Sequence, residues 1–248
     1  MDRLENLKNI IMYLMADEHV SHRIPSTLEE RQRMMRALMN VWEPRPISDD
    51  FLKMQDAELQ MQREDKGVVE VHNEGLTIWQ GDITRLKVEA IVNAANAQAL
   101  GCWAPLHNCI DNCIHSAAGI QLRKECADKM QGRLLATGDA FITQGYNLPA
   151  RYVIHTVGPI IPDGVPTKEQ EEQLAQCYRS CLDLAEQNGL ESIAFCCIST
   201  GVFHFPNELA ARIAIETVKS YPRHALKTIV FNVFLDKDRD IYQQLLRA

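Results

Sequence analysis

The first 66 residues contain no glycine and no cysteine, although the whole sequence of 248 residues has 12 of the former and 8 of the latter. That stretch therefore offers neither glycine-dependent ligand loops nor thiolate chemistry. Aromatic residues are also scarce, at 6%. No apolar run approaches the roughly 18 residues of a membrane span; the best candidate, Ile193 to Ile198, is only long enough for a strand. The opening Met-Asp-Arg-Leu-Glu-Asn lacks the basic-then-apolar layout of a signal peptide, so a cytoplasmic location is the expectation. Basic excess is missing too: a net charge of −7 argues against non-specific binding to a nucleic-acid backbone. With 46% hydrophobic and 24% charged residues the chain can bury a real core, which excludes intrinsic disorder and collagen-like folds. Repeats and low-complexity tracts are lacking.

Methionine runs the other way from glycine, with eight of nine before Gly67. Leu4, Leu7, Ile10, Ile11, Leu14 and Met15 have the spacing of an amphipathic helix over 4–17. Ser26 and Thr27, each three residues before a glutamate, predict a second helix reaching about Asn40. Ser48 predicts a third, from Asp49 to about Glu64. Residues 1–66 thus read as a helical extension, packed through its Met and Leu stripes or serving as a partner-binding module. From residue 67 the pattern changes. Strand-like runs at Val68–Val71, Leu76–Gln80, Ala90–Val92, Ala140–Thr143, Tyr152–Val157, Ser192–Ile198 and Thr228–Leu235 enclose helical stretches near 109–131, 168–188, 207–220 and 237–247. This alternation predicts an α/β fold with a mainly parallel or mixed sheet covered on both faces. Ligands in such folds bind beyond the carboxyl ends of the strands.

Four strand-end segments carry candidate chemistry. Asp82, in Gly81-Asp82-Ile83-Thr84, could accept from a ligand amine or cap the next turn. Asn93 and Asn96, in Val92-Asn93-Ala94-Ala95-Asn96, suit a close ligand approach or an ordinary turn. Ser199-Thr200-Gly201-Val202-Phe203 leads into a helix near Pro206, so successive amides could cradle an anion, with Phe203 lidding a ribose or base. The fourth is the sharpest: Cys102, His107 and Cys109 are spaced Cys-x4-His-x-Cys on one loop. Two thiolates and an imidazole suit zinc, and three close ligands leave a fourth position open for catalysis. Cys113, one helical turn on, could instead close a structural site, or the residues are buried thiols without metal. Cys126, Cys177, Cys181, Cys196 and Cys197 read as small core hydrophobes, the last two within a strand. His155 reads as a satisfied core histidine, and His115 as a partner for Asp111 one turn earlier.

In this order the segments resemble the macrodomain family, ADP-ribose-binding α/β modules. The match includes Ile110-Asp111 before Ile114-His115, Ala117-Ala118-Gly119, and His155-Thr156-Val157-Gly158-Pro159. It spans about 68–248 and is most similar to the zinc-dependent microbial subclass, whose resemblance extends to a helical N-terminal extension. It implies a three-layer α/β/α macrodomain over 67–248 and a Zn2+-dependent hydrolase removing mono-ADP-ribose from proteins, with acidic side chains the expected attachment sites. It also implies an association with a sirtuin-type transferase and a lipoyl carrier of the glycine-cleavage H type. By position, Asp82 would accept from the adenine amine and Ile83 would meet the ring through its backbone. Asn96 would hold the distal ribose near Cys109, Ile110 and Asp111, and Ser199, Thr200, Gly201, Val202 and Phe203 would wrap the diphosphate and that ribose. Asn96 and Asp111 would be catalytic, and Cys102, His107 and Cys109 would ligate zinc. His204 departs from the family's usual glycine. The alternatives are a non-catalytic ADP-ribose reader and an O-acetyl-ADP-ribose deacetylase.

Overall fold

The computed structural model describes residues 2–247. Three helices come first: α1 (Arg3–Asp17), α2 (Leu28–Val41) and α3 (Asp49–Lys66). Each starts at a side-chain oxygen that satisfies an amide the first turn leaves without an intrahelical partner. Asp2 accepts from Glu5, Thr27 from Glu30 and Ser48 from Phe51. Of the two overlapping capping patterns, the chain uses Thr27. The apolar stripes then meet: Leu7, Ile10, Ile11 and Leu14 close on Met35, Met39, Trp42 and Phe51 in one buried cluster. Ile120 enters that cluster from the rest of the chain.

The next elements are β1 (Val69–Glu70), β2 (Gly75–Gln80), a 3-10 turn (Ile83–Arg85), β3 (Leu86–Lys87) and β4 (Ala90–Ala94). They are followed by α4 (Ile110–Ala118), α5 (Ile120–Met130), β5 (Ala140–Gln144), β6 (Tyr152–Thr156) and α6 (Lys168–Gln187). The chain closes with β7 (Ser192–Phe195), α7 (Asn207–Ser220), β8 (Thr228–Val233) and α8 (Asp236–Arg247). Six strands form one sheet in the order β2-β8-β7-β4-β6-β5, parallel throughout except for β5 against β6. Helices flank this mixed sheet in an α/β/α arrangement. The central strands are buried on both faces, which is why Ala90–Val92, Ile193–Phe195 and Ile229–Phe231 read as unbroken apolar runs.

Four expectations change. The run at 68–71 contributes only a two-residue strand, paired with β3 outside the main sheet. The helical stretch at 109–131 is two helices, broken at Gly119, whose φ of 107° disfavours any side chain. A Cβ there would also strike Gln55 and Gln121, because buried Gln55 of α3 accepts from the Ile120 amide to open α5 (2.9 Å). The strand at 192–198 stops at Phe195, so Cys196 and Cys197 lie beyond it. β8 stops at Val233, leaving Phe234 71% exposed. Among the described residues no helix is long and apolar enough to cross a membrane.

Candidate active site

Because β2, β8, β7, β4 and β6 run parallel, their carboxyl ends share one edge of the sheet, where the four candidate segments emerge. Hydrogen bonds tie neighbouring segments together. The Gly81 amide donates to Val233 O (2.9 Å), the Asn232 side chain donates to Gly81 O (3.0 Å), and the Ile161 amide donates to Phe203 O (2.8 Å).

The loop from β4 to α4 brings Cys102, His107 and Cys109 together. Cys102 Sγ lies 3.6 Å from His107 Nδ1, and one ligand-type atom from each residue lies within 4.8 Å of the others. A tetrahedral zinc with ordinary bond lengths has sulfur–nitrogen edges of about 3.5 Å, so the group could hold such an ion. His107 is exposed and the cysteines are half-buried, which leaves one side accessible. Cys109 is also the N-cap of α4, its sulfur accepting from the Asn112 amide (3.4 Å). Burial, with Cys102 alongside, pushes the Cys109 thiol up to about 12. Cys113 is not in this group; its sulfur faces the Arg36 guanidinium at 3.9 Å.

The N-terminal helices hold this loop. Arg36 of α2 donates to His107 O (2.7 Å) and to Asn112 Oδ1 (2.9 Å). Asn40 Oδ1 accepts from the Leu106 amide (2.9 Å), where Leu106 takes a left-handed φ of 60°. Arg123 of α5, 2% exposed, donates to the carbonyls of Met39, Asn40 and Trp42 and also to Cys102 O (3.3 Å). The Trp103 ring covers its guanidinium at 4.1 Å. These supports escaped the sequence reading because they join residues 66 and 71 positions apart. The one local signal was a polar i, i+4 pair, Arg36 and Asn40, beside the Met35–Met39 stripe.

Asp111 forms the wall behind the loop. Its Oδ1 accepts from Asn93 (2.8 Å) and its Oδ2 from Asn96 (3.4 Å). Burial raises its carboxyl to about 6, against the opposing pull of the Asn93 bond and Arg123. Asn96 also donates to Gly101 O (3.1 Å) and accepts from the Ala99 amide, closing the turn. His155 is a satisfied core residue, between Thr143 Oγ1 (2.9 Å) and Asn93 (3.1 Å). His115 is not bonded to Asp111: the atoms are 3.6 Å apart, and both buried ring nitrogens lack hydrogen-bond partners. His115, Cys126 and His155 also cluster, but all three are buried, with burial pushing the thiol up and both imidazoles down.

Ser199 adopts φ 64° and buries its hydroxyl without a partner beside Gly158, where a Cβ would come within 2.0 Å of it. An orphaned buried hydroxyl costs on the order of 1–3 kcal/mol, so Ser199 Oγ is a donor left without a partner at this strand end. Thr200 is half-buried and bonded to Cys197 O, while Gly201 and Val202 are exposed and Phe203 half-buried. His204 has φ 58°, a left-handed conformation most natural to glycine, and is exposed. Asp82 caps the turn after β2 through the amide and hydroxyl of Thr84 (3.0 and 2.7 Å), and its other oxygen faces Lys66 at 3.5 Å. Ile83 buries its side chain. Ile110 opens α4 directly after Cys109.

The Macro domain family matches residues 92–214. A protein-ADP-ribose hydrolase of Staphylococcus aureus (strain MSSA476) is 46% identical over 259 residues, covering 98% of this chain and 97% of the relative. The chain belongs to the macrodomain family. A Treponema medium relative with the same name is 47% identical and covers 96% of both chains. Among solved structures, an Oceanobacillus iheyensis macrodomain with ADP is 40% identical, with a TM-score of 0.63 over 71% of this chain and 93% of that one. A Trypanosoma brucei macrodomain in complex with ADP-ribose is 29% identical, with a TM-score of 0.65 over 90% of this chain and 97% of that one. In this macrodomain Asn96, Asp111 and the Cys102–Cys109 loop occupy one strand-end site, and Asp82 lies at the edge strand.

Proposed function

We propose that this macrodomain hydrolyses mono-ADP-ribose from modified protein side chains, with acidic residues as the favoured attachment sites and zinc held by Cys102, His107 and Cys109. The observation that carries the reading is the accessible sulfur–nitrogen–sulfur cluster on the same loop system as Asn96 and Asp111. The full-length Staphylococcus and Treponema relatives bear the name of that activity. Zinc bound there supplies a Lewis acid that polarises a substrate or water oxygen.

The chain's own residues do the rest. Asp82 accepts from the adenine amine once Lys66 swings aside, the Ile83 backbone meets the ring edge, and exposed Phe234 offers a ring face beside Gly81. The amides of Ser199–Phe203 and the orphaned Ser199 hydroxyl donate to the diphosphate. Asn96 and the Cys109–Asp111 turn orient the distal ribose. Asp111, raised to about 6, is still mostly ionised at neutral pH and accepts the proton of the attacking water. The water oxygen replaces the side-chain oxygen of the modified protein, releasing ADP-ribose.

The test is incubation with a mono-ADP-ribosylated acidic-residue substrate, with and without a chelator, beside arginine- and serine-linked controls. Chelator-sensitive release of ADP-ribose is expected. Undiminished release by a rigorously metal-free preparation removes zinc from the reading. Tight ADP-ribose binding without release makes the protein a reader.

A further inference from the structure

A groove of about 460 Å³ opens between α2, α3 and α4, running from Asp82 at the edge of the strand-end site to Leu106 and Asn108 of the Cys102–Cys109 loop. Four cationic side chains line it, Arg33, Arg36, Arg63 and Lys66, against two carboxylates, Glu29 and Asp82. Lys66 and Asp82 face each other, which leaves three guanidiniums against Glu29. Among the described residues none of those guanidiniums has a carboxylate partner: Arg36 and Arg63 donate only to carbonyl oxygens and the Cys113 sulfur, and exposed Arg33 has no bonded partner. Arg3, Arg45, Arg179 and Arg239 are matched to acidic side chains, whereas Arg31, Arg85 and Arg133 also donate to carbonyl oxygens; what sets the groove apart is three such guanidiniums on one concave surface. A cationic pocket on a chain of net charge −7 is a local reversal of sign. Guanidiniums hold carboxylates through paired, charge-assisted bonds. Met35, Met39, Leu59 and Leu148 form the floor of the groove and are almost wholly buried, so it is the guanidiniums that a docked partner would meet. Leu106 and Asn108 bring the groove to the Cys102–Cys109 loop, where the modified side chain would lie.

We propose that this groove docks an acidic segment of the ADP-ribosylated protein, so that the helical extension selects which modified proteins reach the loop. The proposal takes its meaning from the hydrolase reading, and direct binding tests it without any hydrolysis. A fluorescein-labelled peptide of about eight residues, alternating glutamate with leucine, is titrated with the full-length protein and followed by anisotropy. Saturable binding that weakens as ionic strength rises is expected. The double variant Arg33→Glu/Arg63→Glu is expected to weaken it at least about tenfold, with thermal midpoint and free ADP-ribose affinity unchanged. Equal binding of a lysine-for-glutamate peptide, or an unaltered affinity in the double variant, overturns the proposal. So does displacement by an oligonucleotide of equal charge at equal concentration, which would indicate a general polyanion site. If the double variant loses peptide but still releases ADP-ribose from a short modified peptide without acidic flanks, docking and chemistry are separate. Absence of any release alongside intact peptide binding counts against the hydrolase reading alone.

Discussion

His107 is the most exposed of the three residues proposed to hold zinc and carries the nitrogen that faces Cys102. His107→Ala is expected to lower ADP-ribose release at least about 100-fold, since even supporting residues of metal sites cost 10–100-fold when lost. Zinc per protein, read by elemental analysis, should fall with it, while ADP-ribose affinity stays within a few-fold. Behind the loop, His155 is held down to about 3 and His115 well below its ordinary value, both chiefly by burial. The unfolded chain therefore binds protons at these positions where the native chain does not. Their neutral forms contribute full stability above about pH 6.5, and that stability is lost as pH falls toward their folded values. Each contributes a slope of about 1.4 kcal/mol per pH unit in that window. His155→Asn, compared with wild type by urea unfolding at several pH values, should flatten the slope by about that amount. Gly158 is a further position where chemistry depends on a missing atom. Gly158→Ala puts a methyl against Ser199 Oγ and should weaken ADP-ribose binding about tenfold or more.

At the scale of elements, α2 is more than packing for α1. Its Asn40 side chain holds the Leu106 amide in a strained turn while its Nδ2 donates to Ser116 (3.0 Å). Asn40→Ala should therefore loosen the Cys102–Cys109 loop without removing a proposed zinc ligand. Competition against a zinc chelator is expected to show about tenfold weaker metal binding; an unchanged affinity would mean the loop holds its geometry alone. Sequence periodicity foretold α1, α2 and α3 within a residue or two, because caps and apolar stripes are local. It did not foretell the break at Gly119, since a glycine flanked by helix-forming residues declares itself only when Gln55 arrives from α3 to satisfy Ile120. Nor did it foretell the early end of β7, since Cys196 and Ile198 stay buried in the loop just as they would in a strand.

For the whole molecule, the layered α/β design and its strand-end segments were legible because buried parallel strands and glycine-bearing loops leave plain marks. What escaped was the dependence of the loop on the helices before it. A chain starting at Gly67 would expose Ile120, strip Arg123 of its acceptors from Met39 to Trp42, and leave Leu106 unanchored. Thermal unfolding should show a markedly lower midpoint, with aggregation and loss of metal and hydrolysis. A soluble, fully active fragment would contradict this. Arg123 has one more consequence. During synthesis α1, α2 and α3 leave the ribosome first, and the Cys102–Cys109 loop follows before α5 exists. The guanidinium that joins α2 to Cys102 is thus made after both of the parts it joins. A nascent chain has ligand residues but no fastened loop until residue 123 has emerged and docked, so assembly is complete only when the earliest and later segments have found each other.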